Sequence, residues 1–382
     1  MSRRGPLRLY YFVFFGAIGA YNPYFPTWLH ARGIDGVRMS TITMLVPLLG
    51  VLGPVVFGVL ADAFGLRGSL LRLAAGGALV SFGAIAALGA GGDAASYARL
   101  FALMALYSFF RAPMVTLADV TALEQTGSYG RTRLFGSAGF TAAVVLVGVF
   151  VDPRRERELP FVITGVLAAT LVVTAALQTR TVRPSTPILR DAAELLRSSD
   201  FLLFLLVGFL WFSSHVSYDL CFSMHLLDLG ATNRVVGICW AIGVIAEILL
   251  MSAAHRLLPH HSTTKLMAFG VLATCVRFAV IAHVRSVGTL LLLSPAHALS
   301  FGLFWIASLE FVRHRAPAHV LATAQSLLAA VMATGSVLGM YAWGPLYAAR
   351  GGAPVFAAAS AVAAVGAVAA LGLVRGRASR AI

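Results

Sequence analysis

The chain has 382 residues, of which 59% are apolar and only 12% are charged, whereas a typical soluble domain carries about 25% charged residues. This composition excludes an ordinary soluble domain and predicts a membrane protein. The net charge of +14 would fit a nucleic-acid-binding protein. Because the basic residues cluster in short segments between long apolar stretches, we expect no nucleic acid partner.

Twelve apolar stretches of about 20 residues, the length that crosses the hydrocarbon core of a bilayer, are predicted to be transmembrane helices. They cover residues 8–29, 40–61, 70–90, 97–118, 134–151, 160–178, 201–225, 235–254, 265–284, 288–311, 321–348 and 353–374. Their apolar runs are continuous rather than alternating, which favours helices over barrel strands. The first stretch is too long for the core of a signal peptide, so we expect it to remain as a span.

The basic residues are distributed unequally between the two sides of the predicted helices. If the N-terminus is cytoplasmic, the inner loops and termini carry about twice as many Lys and Arg residues as the outer loops, in agreement with the positive-inside rule. We therefore expect a multi-pass protein of the bacterial inner membrane with both termini in the cytoplasm. The very short outer loops exclude a large extracellular enzyme domain.

The longest polar stretch, QTRTVRPSTPILRDAAELLRSSD at 178–200, separates six predicted spans from six. It predicts an N-terminal six-helix half at 1–178, a cytoplasmic linker at 179–199 and a C-terminal six-helix half at 200–382. The fold class is thus an all-α membrane protein with two pseudo-symmetric halves. This organisation is typical of transporters that bind substrate near the membrane midplane and expose it alternately to each side.

Ionisable residues within the predicted spans are the candidate functional residues. A charged side chain at the centre of a span costs about 2.5–3.5 kcal/mol on insertion scales, so such a residue faces a cavity or a partner. In the C-terminal half they are His215, Asp219, Glu247, Arg277 and His297, and in the N-terminal half Arg111, with Asp119 and Arg133 nearer the cytoplasmic ends. Each residue alone could be half of a structural ion pair, but the whole set favours a polar pathway.

Glu247 interrupts the apolar run WAIGVIAEILLMSAAH at 240–255. A buried carboxylate takes up a proton when its cationic partner moves away and releases it when the cation returns, which is what proton coupling requires. We therefore predict that Glu247 carries a proton. Arg277, His297, Asp219 and His215, which come from neighbouring helices, are predicted to adjust its proton affinity.

The N-terminal half offers a cationic binding region instead. Arg111 and Arg133 could each bind a carboxylate through two hydrogen bonds, and Tyr21 and Phe25 supply aromatic surface. Asp119 is also predicted to be part of this substrate-binding region. A small aromatic or other organic acid is therefore the predicted substrate. In the alternative interpretation Arg111 pairs with Asp119 and the aromatic residues only pack or lie at the membrane interface.

The segment GVLADAFGLRG at 58–68 connects the second and third spans. Gly58 would permit a close helix approach, Asp62 could cap or pair, and Gly65 would allow a turn that other residues resist. With Arg67, the segment resembles the G-x-L-A-D-x-x-G-x-R motif of the major facilitator superfamily. The resemblance implies that these four residues hold a cytoplasmic gate.

Further segments resemble the lactose-permease branch of that superfamily, each in its expected helix. They are GAYNPYFPTWLH, YGRTRLFGSAGF, SYDL, IAEI, CVRF and AHALSFG, and the last of these, with TAQS and GPLY, is similar to phenylpropionate-permease-like proteins. The resemblance implies proton symport by alternating access. It implies a proton and sugar network at Glu247, Arg277 and His297, a matching aspartate at Asp219, and a substrate contact at Arg133.

The resemblance to the lactose-permease branch breaks at three positions. Ser300 replaces a proton-carrying glutamate, Thr116 replaces a sugar-binding glutamate, and Met332 replaces the lysine partner of the span-seven aspartate. A galactoside is therefore not the expected substrate. The proton carrier is expected to be Glu247 or Asp219.

Other functions are open to the same sequence. A passive facilitator or a drug/proton antiporter could use the same cavity, and an intramembrane hydrolase would need a serine of GSAG at 136–139 near His215 or His297. Small residues at that spacing more often pack helices together, so we expect no enzyme activity. Without a P-loop motif, the expected energy source is the proton gradient, with no cofactor or metal. The expected partners are a small-molecule substrate, protons and membrane lipid, and the expected state is a monomer.

Overall fold

A computed structural model of the chain describes residues 4–125, 129–151, 158–177, 195–316 and 321–378. These residues form helices and connecting turns, without a β-strand in the described ranges. Ten of the described helices are long and apolar enough to cross a membrane, and Leu159–Ala175 is a shorter apolar helix. The predicted all-α membrane fold is confirmed.

The helices of the first part of the chain are α1 Arg4–Tyr21, α2 Phe25–His30, α3 Gly36–Thr43, α4 Leu45–Phe64, α5 Arg67–Leu88, α6 Ala94–Gln125, α7 Tyr129–Phe150 and α8 Leu159–Ala175. Those of the second part are α9 Ser199–Asp228, α10 Asn233–Ser252, α11 Thr263–His283, α12 Val287–Leu293, α13 Leu303–Arg315, α14 Leu321–Arg350 and α15 Gly352–Ala378. A short helical segment, Ala254–Leu257, follows α10.

The predicted first span is two helices rather than one. α1 ends at Tyr21 and α2 begins at Phe25, so the chain turns at Asn22, Pro23 and Tyr24. Proline lacks a backbone N–H, and its ring disfavours helical geometry in the residue before it. The break at Pro23 separates the end of α1 from α2.

Asp93 precedes the long helix α6. Its Oδ1 accepts a hydrogen bond from the backbone N–H of Ser96 at 2.9 Å, which satisfies one of the free donors at a helix start. The side chain and backbone of Ser96 hold the pKa of Asp93 below its ordinary value. The turn before α6 is thus fixed by its own sequence.

Two compact units make up the chain. The first contains Met1–Pro184 and Leu226–Ala241, and the second contains Ser185–His225 and Ile242–Ile382. Helix α10 therefore contributes its beginning to the first unit and Glu247 to the second. Most of the predicted linker at 179–199 lies outside the described residues, which resume at residue 195.

In the first unit, α1 lies against α7 and α8, and α6 packs against α4 and α5. The segment 226–241 is joined to these helices through Asn233, whose side-chain amide donates to the carbonyl of Val151 at 2.9 Å. The hydroxyl of Tyr24 donates to the carbonyl of Val144 at 2.7 Å. These buried hydrogen bonds attach Tyr24 to the C-terminal part of α7 and the segment 226–241 to Val151, which follows α7.

In the second unit, α11 packs between α13 and α15. The core is aromatic: Trp211 stacks on Phe304 with ring centroids 4.0 Å apart, and Phe204 stacks on Phe311 at 4.5 Å. These contacts join α9 to α13. This packing holds in place the helices that carry polar residues of this unit.

Candidate functional site

The helix that carries His297 is irregular at that residue. After α12 the chain forms a 3₁₀ turn at Ser294–Ala296 and then a π-helical turn at Ala298–Gly302, before α13 begins at Leu303. His297 lies between the two turns. π-helical turns interrupt the regular hydrogen-bond pattern and often occur at functional sites.

Glu247 of α10 faces His297 across this irregular turn. The Nε2 atom of His297 lies 3.5 Å from Oε2 of Glu247, and the two side chains are 9% and 17% exposed. Glycines allow the approach: a Cβ at Gly243 would lie 3.2 Å from Cβ of His297, and one at Gly302 would lie 3.1 Å from Cγ of Glu247. The close helix contact sets the distance between the acid and the imidazole.

Arg277 of α11 contacts the other side of the same histidine. Its Nη1 lies 3.2 Å from Nδ1 of His297 and donates to Oγ of Ser300 at 3.2 Å. Its guanidinium carbon lies 4.2 Å from the centroid of the Tyr218 ring, which is within cation–π range. Arg277 is almost completely buried, so its charge acts in surroundings with little water.

The structure brings His215 and Tyr218 of α9 into this cluster, as their shared helix face predicts. The His215 ring lies 5.6 Å from that of His297, and the Tyr218 ring stacks on His297 at 5.4 Å. Asp219 lies within electrostatic reach of Arg277. Its carboxylate makes no hydrogen bond or ion pair with any residue in the described ranges.

Ser300 has a structural role that the sequence did not reveal. Its carbonyl accepts hydrogen bonds from Nε1 of Trp211 and Oγ1 of Thr274, both at 3.0 Å. Its hydroxyl accepts from Arg277. Pro295 and Gly302 are the sequence features that could have indicated an irregular helix here. We call Glu247, Arg277, His297, His215 and Tyr218 the His297 cluster.

Met332, where the resemblance would place a lysine, is buried in the core cluster that also contains Trp211. It packs as an apolar side chain. The departure at Met332 thus leaves no cation at that position.

In the first unit, Asp119 and Arg133 lie around Tyr11. The Tyr11 hydroxyl donates to Oδ1 of Asp119 at 2.5 Å. The Cζ atom of Arg133 lies 5.8 Å from the Tyr11 ring centroid and 3.8 Å from that of Phe15. Neither aromatic contact could be predicted from spacing, because each joins α1 to another helix.

Tyr21 and Phe25 lie in a separate aromatic group near Arg111. Tyr21 stacks on Phe25 at 4.6 Å and lies 5.9 Å from Tyr107, which is one helical turn before Arg111. Phe82 of α5 contacts Tyr107 at 4.8 Å. Arg111 acts electrostatically on both tyrosines. We call Tyr21, Phe25, Phe82, Tyr107 and Arg111 the Arg111 group.

The alternative pairing of Arg111 with Asp119 is absent from the described structure. The carboxylate of Asp119 contacts Tyr11, and Arg111 has no ion pair or side-chain hydrogen bond within the described ranges. Its Nε atom is buried without a hydrogen-bond partner there. The two arginines of the predicted substrate site therefore have different surroundings.

The predicted gate segment is only partly explained by the structure. Gly65 has a φ of +65° and ends α4 with its N–H bonded to the carbonyl of Ala61, as expected for a glycine at a helix end. Arg67 is buried at the start of α5. The expected close approach at Gly58 is not found among the described residues, because a Cβ there would have none of them within 4 Å. The side chain of Asp62 lies outside the described residues.

Within the described ranges, no group of three or more His, Cys, Asp or Glu residues could hold a metal ion.

Comparison with known proteins gives consistent results along the chain. The profile of the MFS_1 like family matches residues 6–358. The chain is 30% identical to the maltose permease of Geobacillus stearothermophilus over 86% of this chain and 84% of that protein. It is 24% identical to the probable 3-phenylpropionic acid transporter of Escherichia coli, over 87% of each chain.

The fold is also similar to that of solved transporters. A crystal structure of a mutant of the nucleoside transporter NupG aligns with a TM-score of 0.85 and 17% identity, over 97% of this chain and 99% of that one. At this identity the similarity concerns the fold alone. Because the family profile covers nearly the whole chain, the chain belongs to the MFS_1 like family of the major facilitator superfamily, and it is a multi-pass membrane transporter, not an enzyme.

Proposed function

We propose that this transporter couples the entry of protons to the uptake of a small organic solute by alternating access. It would act in a bacterial inner membrane with both termini in the cytoplasm. The observation that carries the proposal is the contact between Glu247 and His297 within a buried group that also holds Arg277. A titratable acid, a titratable imidazole and a permanent cation lie in one chain of contacts inside spanning helices.

Glu247 is the proposed proton carrier. Its side chain is 17% exposed and that of His297 is 9% exposed, so the acid is the more accessible of the two, while Arg277 is almost completely buried. When Glu247 is ionised, the positive charge of Arg277 favours that state, and the Nε2–H of His297 can donate to the carboxylate because Nδ1 faces the Arg277 donor. When Glu247 is protonated, that attraction is lost and the contact with His297 weakens. Proton binding thus changes which helix contacts are stable.

The other members of the His297 cluster adjust this exchange. Arg277 supplies a fixed charge, and His297 transmits it to the acid through the two nitrogens of one ring. His215 and Tyr218 enclose the histidine. Because the groups interact closely, their proton exchange belongs to the cluster as a unit. Asp219 lies within electrostatic reach of Arg277, and it would adjust the effect of that charge on the cluster rather than carry the proton.

An organic acid is the proposed solute. This is supported by Arg111, a cation in a spanning helix without a carboxylate partner in the described ranges, and by the aromatic side chains around it. Arg133 would add a second contact, with Asp119 near it. The similarity to a probable 3-phenylpropionic acid transporter agrees with this choice, while the similarity to a maltose permease makes a sugar the first competing solute to test.

Proton movement on addition of solute tests the proposal. Proteoliposomes in a lightly buffered medium would receive 3-phenylpropionate, benzoate, maltose, uridine or a hydrophobic cation, while the external pH is followed. Symport predicts that the external pH rises with one solute class and that a protonophore abolishes the rise. A fall in external pH would indicate drug/proton antiport. Solute entry without any pH change would indicate a passive facilitator.

A further inference from the structure

The Arg111 group contains several buried donors without an acceptor. The hydroxyls of Tyr21 and Tyr107 and the Nε atom of Arg111 have no hydrogen-bond partner among the described residues. Tyr107 is 0% exposed and Tyr21 is 6% exposed. Buried polar groups are nearly always hydrogen-bonded, so donors left free together need an explanation.

The charge of this group is also unbalanced. Arg133, the other arginine of the first unit's candidate site, lies over the Tyr11 ring, whose hydroxyl donates to Asp119. Its surroundings therefore include a carboxylate. No ion pair involving Arg111 occurs in the described part of the chain. A cation in a spanning helix is costly unless an anion or water compensates it.

The aromatic residues hold the two tyrosines in fixed orientations. Tyr21 is stacked on Phe25, and Tyr107 meets Phe82 edge to face. Tyr107 and Arg111 are four residues apart on α6 and share one face of the helix. Both rings are therefore held by packing before any anion binds, which lowers the entropy cost of ordering them around it.

We propose that Arg111, Tyr21 and Tyr107 together bind the carboxylate of a small organic monocarboxylate. The guanidinium pairs with the carboxylate oxygens, and the two hydroxyls donate to the same group. Arg111 is a single cation without a carboxylate partner in the described ranges, so the site suits a solute that carries one negative charge. Tyr107 thereby becomes a binding residue, and Arg111 rather than Arg133 is the arginine that selects the charge. This inference rests on the proposed function for its organic solute, and it names the chemical class of that solute.

Binding measured without any proton gradient tests this site separately from coupling. Purified protein in a neutral detergent, with no acidic lipid added, would be titrated calorimetrically with 3-phenylpropionate and benzoate. The neutral 3-phenylpropionamide, maltose and uridine serve as comparison ligands. The variants are Arg111→Gln, Tyr107→Phe and Tyr21→Phe. The matched controls are Arg99→Gln and Tyr97→Phe, since both residues lie at the beginning of α6, outside the Arg111 group.

The inference predicts that a monocarboxylate binds and the amide does not. Arg111→Gln should abolish binding. Each tyrosine variant should weaken it about tenfold or more, as for the loss of a hydrogen bond to a charged group. Because each phenylalanine removes a hydroxyl that has no partner among the described residues, these variants should keep the melting temperature of the parent. Arg99→Gln and Tyr97→Phe should bind like the parent.

Equal binding of carboxylate and amide, unchanged binding in Tyr107→Phe, or failure of every carboxylate to bind would overturn the site. Selective carboxylate binding through Arg111 without proton movement would leave the site standing and contradict the proposed symport. Proton-coupled uptake of maltose or uridine that stays fully active in Tyr107→Phe would contradict the carboxylate site and leave the proposed symport standing. The two proposals therefore fail in distinguishable ways.

Discussion

The imidazole of His297 faces the carboxylate of Glu247, which lies on a different spanning helix, with Nε2 and Oε2 3.5 Å apart. The other ring nitrogen lies 3.2 Å from Nη1 of Arg277. One aromatic ring therefore connects an acid to a permanent cation. Any change in the protonation of Glu247 changes the forces on the helices that carry both residues.

Replacing His297 tests this connection. In His297→Gln the side chain keeps hydrogen-bonding capacity but cannot become charged. We expect proton-driven accumulation to fall about tenfold or more, while solute still moves down its own gradient. Uptake into proteoliposomes with and without a pH gradient measures both. His283→Gln, at the exposed end of α11, is the control, and normal accumulation in His297→Gln would show that the ring is not part of coupling.

Asp219 and Glu247 can be separated by parallel neutral variants. Asp219 makes no hydrogen bond or ion pair within the described ranges, whereas Glu247 contacts His297. Asp219→Asn should therefore reduce the rate of proton-driven uptake but preserve accumulation. Solute accumulation at steady state, measured in the same vesicles, distinguishes the two acids. Loss of accumulation in Asp219→Asn would assign the proton to Asp219.

The close helix approach at Gly243 should be essential for the cluster. A leucine there would collide with Cβ of His297, and overpacking of this kind costs about 1–3 kcal/mol. Gly243→Leu should lower the melting temperature and stop coupled uptake. Gly76→Leu introduces the same side chain where a Cβ has no described residue within 4 Å, and it should behave like the parent protein. Equal behaviour of the two variants would contradict the packing argument.

The left-handed turn at Gly65 predicts a specific stability effect. Gly65→Ala places a Cβ at a φ of +65°, which costs about 1–2 kcal/mol. Gly50→Ala, inside α4 and with no described residue within 4 Å of the added Cβ, should instead gain up to about 1 kcal/mol in helix propensity. Thermal unfolding in detergent should therefore rank Gly50→Ala at or above the parent and Gly65→Ala below it. A melting temperature of Gly65→Ala equal to the parent's would contradict the turn's importance.

The sequence predicted the helices well because apolar length is a local property. It did not predict the break at Pro23, which lies inside the predicted first span and follows the end of α1 at Tyr21, or the π-helical turn at Ala298–Gly302. The π-helical turn depends on a backbone hydrogen-bond pattern that composition does not record. The break at Pro23 could have been suspected from the proline alone.

The candidate site was predictable in its residues but not in its pairings. The cost of charge in lipid identified Glu247, Arg277 and His297, yet their order, with the histidine between acid and cation, depends on which helices touch. The same holds for Asp119, whose partner Tyr11 is distant in sequence. Close approach at Gly58 was expected from a motif, but its neighbours in space do not require a glycine.

The central claim is that protonation of Glu247 drives uptake, and Glu247→Gln tests it most directly. Proteoliposomes containing this variant should fail to accumulate solute under an imposed pH gradient, yet they should still exchange internal for external labelled solute. Glu310→Gln is the matched control, because this glutamate pairs with Arg313 and His314 on its own helix, and it should accumulate like the parent. Accumulation in Glu247→Gln at the parent's level would contradict the account, and Glu247 would then be a structural partner of His297.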